Sequence, residues 1–283
     1  LEEDTANSKH DRGDFTLVDF NRAGVPLMEL VTEPHTFETP EEAGRAASKF
    51  AKELQLLLWY LGVSDANMEK GEMRVEANIS LSSDKDNFGT KVEVKNLNSF
   101  RSAERAILFE LERMKKLYES GKESEIVQET RGWDEIKQTT FSQRSKENAQ
   151  DYRYFPDPDL LPLEVSVEWI EQVKQTLPEL PQARRDRYMV EFGLSTYDVS
   201  VLTASREMAD YFDAAVKLLP TQAKLCANWI MGEISGRLNK ENMEISNCPV
   251  KPDDLAALLI RISDGTTSGK AAKTIFESLW LGE

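Results

Sequence analysis

The sequence predicts an α+β fold: a mixed or antiparallel sheet with helices over residues 1–170, followed by an all-helical region over residues 171–283. Three observations carry this. Short runs that alternate polar and apolar residues with a period of two are confined to the first part. Two long amphipathic helices lie among them, and from Val167 onward one helical run follows another. Between the two regions stands DYRYFPDPDLLPLEV, whose three prolines make it a turn-rich closing segment rather than a helix.

In chain order, LVDF and PLMELVTE read as strands joined by the turn-like NRAG. Glu29 then shares a strand face with Leu27 and Val31. An ionised carboxylate among apolar groups needs a cation, a metal or water, unless the strand is an edge with one face wet. TPEE opens the first helix, with Thr39 as N-cap, Pro40 at the first position and Glu42 closing a capping box. Its apolar stripe is expected through Ala46, Phe50, Leu54, Leu57 and Leu61, and Gly62 ends it.

The runs GEMRVEANISL and TKVEVKNLNSF each split by a period of two. Arg74, Glu76, Asn78 and Ser80 share one face of the first, and Lys91, Glu93 and Lys95 one face of the second. SSDKDNFG between them has the composition of a hairpin loop. A register that pairs Asn78 with Glu93 sets Glu76 opposite Lys95, so acids and cations gather on one side. That side is either a solvated face with cross-strand ion pairs or a binding site. A second helix follows NLNS, with Phe100, Ala103, Ile107, Leu111, Met114 and Tyr118 at helical spacing and a stop at Gly121. EIVQETRGW and KQTTFSQR read as further strands. The later helices are expected in VEWIEQVKQTL, ARRDRYMVEFGL, VSVLTASREMADYFDAAVKLL, QAKLCANWIMGEISGRL and DDLAALLIRISD.

Composition narrows the chemistry. Of the net charge of −15, residues 1–170 hold −12 and residues 171–283 hold −3. Such an acidic surface argues against nonspecific nucleic-acid binding, though not against a local basic patch. Cys226 and Cys248 are too far apart in sequence for a metal knuckle, and the two together fit a reducing, cytoplasmic compartment. No apolar run reaches the length of a membrane span, and the sequence opens without the charged leader and apolar core of a signal peptide. With only His10 and His35 as imidazoles, chemistry must lean on carboxylates, lysines and arginines. Glu2, Glu3, Glu29, Glu76 and Glu93 could supply oxygen ligands to Mg2+ if the fold brings them together, and Arg74, Lys91 and Lys95 could neutralise phosphates. No Walker A, dinucleotide fingerprint or H-E-x-x-H sequence occurs. In the helical part, Arg184, Arg185 and Arg187 read either as contacts to a nucleic-acid backbone or as a solvated helix face, while Trp229 reads as bundle core.

LEEDTANSKH, DFNRAGVPLMELVTEP, KGEMRVEANISL, FGTKVEVKNLNSF, QETRGWDE and DYRYFPDPDLLPL, in that order, resemble the motif string of the aspartyl/glutamyl-tRNA amidotransferase B subunits. LPELPQARRDRY, TASREMADYF and NWIMGE extend the resemblance through the helical part. It implies a cradle-shaped catalytic domain similar to glutamine synthetase and guanidino kinases over residues 1–170, and a helical domain contacting tRNA over residues 171–283. It implies ATP and Mg2+, used to phosphorylate the side-chain carboxylate of Glu or Asp misacylated on tRNA, with ammonia delivered by the amidase (A) subunit in a complex with a small C subunit. The compartment implied is the cytoplasm, or an organellar matrix in a eukaryote. By the same resemblance Glu3 is a direct Mg2+ ligand, and Glu2, Glu29, Glu76 and Glu93 line the site. Glu3, Glu76, Glu93 and Lys91 are then the catalytic set, with Arg74, Lys91 and Lys95 on the nucleotide phosphates. The family's Glu-x-His strand lies upstream of Leu1 and its tail domain beyond LWLGE, so the fragment is expected to bind Mg-ATP poorly or not at all and tRNA weakly. The alternative is a noncatalytic tRNA-binding scaffold.

Overall fold

The computed structural model describes residues 2–3, 6–9, 15–84, 86–145 and 162–282. The chain divides into two compact units, Leu1–Thr39 and Pro40–Glu283. In the first, β1 (Glu2–Glu3), β2 (Asn7–Lys9), β3 (Leu17–Asp19) and β4 (Pro26–Leu27) form two antiparallel ribbons, β1 with β4 and β2 with β3. The strand expected over PLMELVTE is only Pro26–Leu27, and Met28, Leu30 and Val31 are exposed beside an exposed Glu29. Of the two readings of Glu29, the exposure fits the wet face rather than the enclosed carboxylate, since an alternating pattern buries a face only when a second layer covers it.

The second unit opens with α1 (Pro40–Leu61), bounded as TPEE and Gly62 foretell. Its buried positions are Gly44, Ser48, Ala51, Leu56 and Tyr60, not the stripe expected through Phe50, which is exposed. Two faces explain the difference. Small residues lay one turn after another against the next long helix, and Leu56 and Tyr60 turn toward the helical bundle. A four-stranded sheet of order β5-β6-β7-β8 follows, built from β5 (Val75–Ile79), β6 (Val92–Leu97), β7 (Glu129–Asp134) and β8 (Thr139–Ser145). β5 and β6 pair antiparallel with Asn78 opposite Glu93, the register read from the sequence. The ladder shifts between Val75 and Ala77, where Asn96 takes up the extra residue at φ +64°. β6 and β7 run parallel, connected across the sheet by α2 (Phe100–Glu119). Ser99 caps α2 by accepting from the backbone N–H of Ser102, and Ala103, Ile107, Leu111 and Met114 bury the expected stripe against Val92, Val94 and Trp133.

The closing segment DYRYFPDPDLLPLEV falls largely outside the described residues. Beyond it come α3 (Val167–Thr176), α4 (Pro181–Phe192), α5 (Thr196–Leu202), α6 (Arg206–Val216), α7 (Ala223–Trp229), α8 (Ser235–Glu241), α9 (Pro252–Ser263) and α10 (Gly269–Leu281). VSVLTASREMADYFDAAVKLL, read as a single helix, breaks at Thr203–Ser205, because Ser205 caps a new helix by accepting from Met208 N–H. α7 and α8 are joined through a π-helical turn at Ile230–Ile234. Trp229 is core, edge-on to Phe276 at 6.0 Å.

Candidate active site

Period-two alternation gives the four-stranded sheet two unlike faces. The inner one holds Val92 and Val94 against α2, and next to them a buried ionic brace. Glu110 of α2 is fully buried and accepts from Thr140 Oγ1 at 2.7 Å and Arg113 Nε at 2.8 Å. Arg131 donates from Nε to Thr140 Oγ1 at 2.9 Å and from Nη1 to Glu129 Oε1 at 2.6 Å. Burial drives the Glu129 carboxyl up, but hydrogen bonds from Ser142 and Arg131 outweigh it, and the net shift is downward. A charge as enclosed as Glu110 is tolerated only with partners of this kind.

The outer face gathers the acids and the lysine that the sequence places together. Lys95 Nζ lies 3.0 Å from Glu76 Oε2 and 3.6 Å from Glu93 Oε1, and Thr130 Oγ1 donates to Glu93 Oε2 at 2.7 Å. Partial burial pulls the Lys95 ammonium down. The hydrogen bond and charge of Glu76, then those of Glu93, more than offset it, so its pKa stands above the ordinary lysine value and the group is a cation at neutral pH. Arg74 and Lys91 stand exposed just before β5 and β6 and make no ion pair among the described residues. In the first unit, Glu2 and Glu3 form β1 opposite Leu27 and Pro26, two to three residues from Glu29 in sequence.

Thr130 is a member of this face that sequence reasoning missed. QETRGW reads as a strand, so the alternation of Thr130 with Glu129 and Arg131 is visible, but the parallel register that sets Thr130 beside Glu93 is not. Gly132 stands opposite Lys95, and a Cβ there would meet Gln143 Nε2 and Phe141 Cζ, each at 2.6 Å. Those two β8 side chains therefore lean across the glycine on the same face.

The arginine row of α4 is tied to acids of its own unit. Arg184 is buried, with Nε 3.2 Å from Glu179 and Nη1 2.8 Å from Asp210. Arg187 bonds Glu179 at 2.7 Å and Asp213 at 3.0 Å, and Arg185 reaches Glu53 of α1 at 2.8 Å. Neighbouring acids hold all three, so the row is not a plain solvated helix face. A groove of about 460 Å3 lined by Lys49, Lys52, Trp59, Arg185 and Met189, among others, shares none of its lining with the acid–lysine face.

Hard carboxylate oxygens that already converge on an ammonium fit Mg2+, which takes one or two carboxylates and fills its shell with water and phosphate oxygens. Among the described residues no group of three or more Asp, Glu, His or Cys is placed to hold a metal, so Glu76 and Glu93 could offer two carboxylates and no more, with Lys95 beside them as the charge a phosphate would meet.

Fold and site together define an α+β protein with an acid–lysine cluster on the open face of a mixed sheet. Residues 1–171 match the family described as the GatB/GatE catalytic domain, and residues 210–283 match the GatB domain. The chain belongs to the GatB/GatE family. It is 49% identical over 282 residues to the aspartyl/glutamyl-tRNA(Asn/Gln) amidotransferase B subunit of Nitrosococcus oceani, covering 99% of this chain and 58% of that one. Over 285 residues it is 50% identical to the protein of the same name from Thioalkalivibrio sulfidiphilus, with 100% and 58% covered. Against that of Nitrosospira multiformis it is 49% identical over 282 residues, with 99% and 55% covered. The chain thus spans somewhat more than half the length of these curated relatives. Among the described residues no helix is long and apolar enough to cross a membrane.

Proposed function

We propose that this chain is the carboxylate-activating part of an aspartyl/glutamyl-tRNA amidotransferase B subunit. The observation that carries the reading is the convergence of Glu76 and Glu93 on Lys95, in a chain about half identical to proteins of that name. A side-chain carboxylate is a poor electrophile at neutral pH. Transfer of the γ-phosphoryl group of ATP to one of its oxygens gives an acyl phosphate and ADP. Ammonia then attacks the acyl carbon and phosphate leaves, converting Glu on tRNA(Gln) to Gln or Asp on tRNA(Asn) to Asn. Mg2+ would supply charge neutralisation for the transferring phosphoryl group. Glu76 and Glu93 would hold it, Lys95, Arg74 and Lys91 would neutralise and orient the phosphates, and Lys91 would take part in the phosphoryl transfer. Glu2, Glu3 and Glu29 take metal-binding roles on the strength of the motif match alone. Ammonia comes from the partner amidase, the A subunit, held with a small C subunit, and the complex works in the cytoplasm or an equivalent matrix.

The test is Glu93→Gln in the complete enzyme. The expected result is a loss of tRNA-dependent phosphate release from ATP by about 10²-fold or more, with misacylated tRNA still bound. Unchanged turnover would refute the reading and favour the noncatalytic tRNA-binding scaffold instead.

A further inference from the structure

We propose that Thr130 is a positioning residue for Glu93: its hydroxyl fixes Oε2 of that carboxylate, so that Oε1 is turned toward the cation on the sheet face. The inference rests on the proposed part of Glu93 in holding Mg2+. A carboxylate has no proton to give, so in the 2.7 Å contact the Thr130 hydroxyl is the donor and Glu93 Oε2 the acceptor. Oε1, the other oxygen, is the one that faces Lys95 Nζ at 3.6 Å. The contact is shielded, with Thr130 9% exposed and the Glu93 side chain 17%.

What keeps Thr130 pointed at Glu93 lies under the sheet. Thr130 and Glu93 are register partners in the parallel β6–β7 pair. Its chain neighbours Glu129 and Arg131 project from the opposite face into the brace, where Arg131 is tied to Glu129 and Thr140, and Thr140 to the buried Glu110. Turning β7 enough to withdraw Thr130 would pull Arg131 off these partners and away from Glu110, whose Oε2 lies 3.5 Å from Arg131 Nε. The ionic brace on α2 thus sets the angle of a carboxylate on the far side of the sheet. An oxygen ligand oriented in advance spares the ordering cost of binding a metal, and loss of such an orienting partner costs about 10–100-fold in metal affinity.

The experiment uses the full-length protein in its assembled enzyme, with Mn2+ as a paramagnetic probe titrated in the presence of ADP and free Mn2+ read by electron paramagnetic resonance. Thr130→Val and Thr130→Ala remove the hydroxyl, one keeping the branched shape and the other not, and Thr130→Ser keeps the hydroxyl. The expected result is Mn2+ binding weakened by about ten-fold in the Val and Ala variants and retained in the Ser variant, with metal-free ADP binding unchanged in all three. Parent-like Mn2+ binding in the Val or Ala variant overturns the proposal, and so does equal loss in the Ser variant. Glu93→Gln is titrated alongside. If it loses Mn2+ while Val and Ala do not, the role of Thr130 falls and that of Glu93 stands. If Glu93→Gln binds Mn2+ like the parent, the reading of Glu93 itself falls, and the proposal with it.

Discussion

Lys95 holds two carboxylates of different strands with one ammonium, and what its removal does separates a site from a surface. Lys95→Met leaves Glu76 and Glu93 facing each other without the cation between them. With side chains 38% and 45% exposed, the Lys95–Glu76 pair contributes less than about 1 kcal/mol, so calorimetry should find the fold nearly as stable. ATP-dependent phosphate release should nevertheless fall by about 10²-fold in the complete enzyme. A large stability loss with intact turnover would make the cluster a structural ion pair. The pH dependence has a definite sign. The folded-state pKa of Lys95 is raised, so its contribution to stability is fully present below the unfolded value near 10.5 and is lost as pH rises through the folded value. Parent and Lys95→Met should therefore keep the same stability difference from about pH 6 to 9 and converge only in alkali. This cluster was legible from the sequence, because a period of two fixes which residues share a face and one register satisfies both strands. The partners of Arg184 and Arg187 were not, because Asp210 and Asp213 come from α6, more than twenty positions away.

At the scale of elements, the packing of α1 on α2 turns on a glycine. A Cβ on Gly44 would lie 2.9 Å from the backbone oxygen of Glu104 on α2, an atom that cannot swing aside. Alanine gains about 1 kcal/mol of helix propensity, but overpacking against backbone costs about 1–3 kcal/mol, so the second effect prevails. Gly44→Ala should lower stability by about 1 kcal/mol in a denaturant titration. An increase would mean that the helices can separate at no cost. The same contact explains why helix boundaries were readable and the buried face was not. Pro40 and Gly62 act locally and announce the ends of α1. Which side is buried depends on a neighbour that prefers small residues, so Gly44, Ser48 and Ala51 go inside while Phe50, the larger apolar residue, stays out. In the same way the Ser205 cap divides α5 from α6 where hydrophobic spacing alone runs through.

Across the second unit as a whole, the apolar core among the described residues comes in four pieces: one between the sheet and α2, a larger one within the helical bundle, a small one of Ala51, Ala66 and Met73, and another of Leu56, Tyr60 and Ala209 that joins α1 to α6. Tyr60 is the centre of that junction. It is fully buried, and its hydroxyl donates toward the carbonyl oxygens of Thr203 at 3.1 Å and Ser205 at 3.2 Å, where the α5–α6 break exposes them. Burial, only partly offset by Arg184, pushes the phenol up to about 12, so it remains a donor throughout the neutral range. Glu53–Arg185 is the main ionic tie beside it. No local pattern marks Tyr60 for this role, since its partners lie some 140 positions downstream and the junction exists only once the bundle has formed. Tyr60→Phe removes one hydrogen bond and should cost about 1 kcal/mol while leaving a single unfolding transition. Tyr60→Ala removes the junction, at about 3–5 kcal/mol. Because among the described residues the junction cluster is the buried apolar group shared by α1 and the bundle, calorimetry of the Ala variant should resolve two transitions, the sheet with its helices unfolding apart from the bundle. A single transition, merely displaced to lower temperature, would show that the cores are coupled by other contacts and that Tyr60 only adds to them.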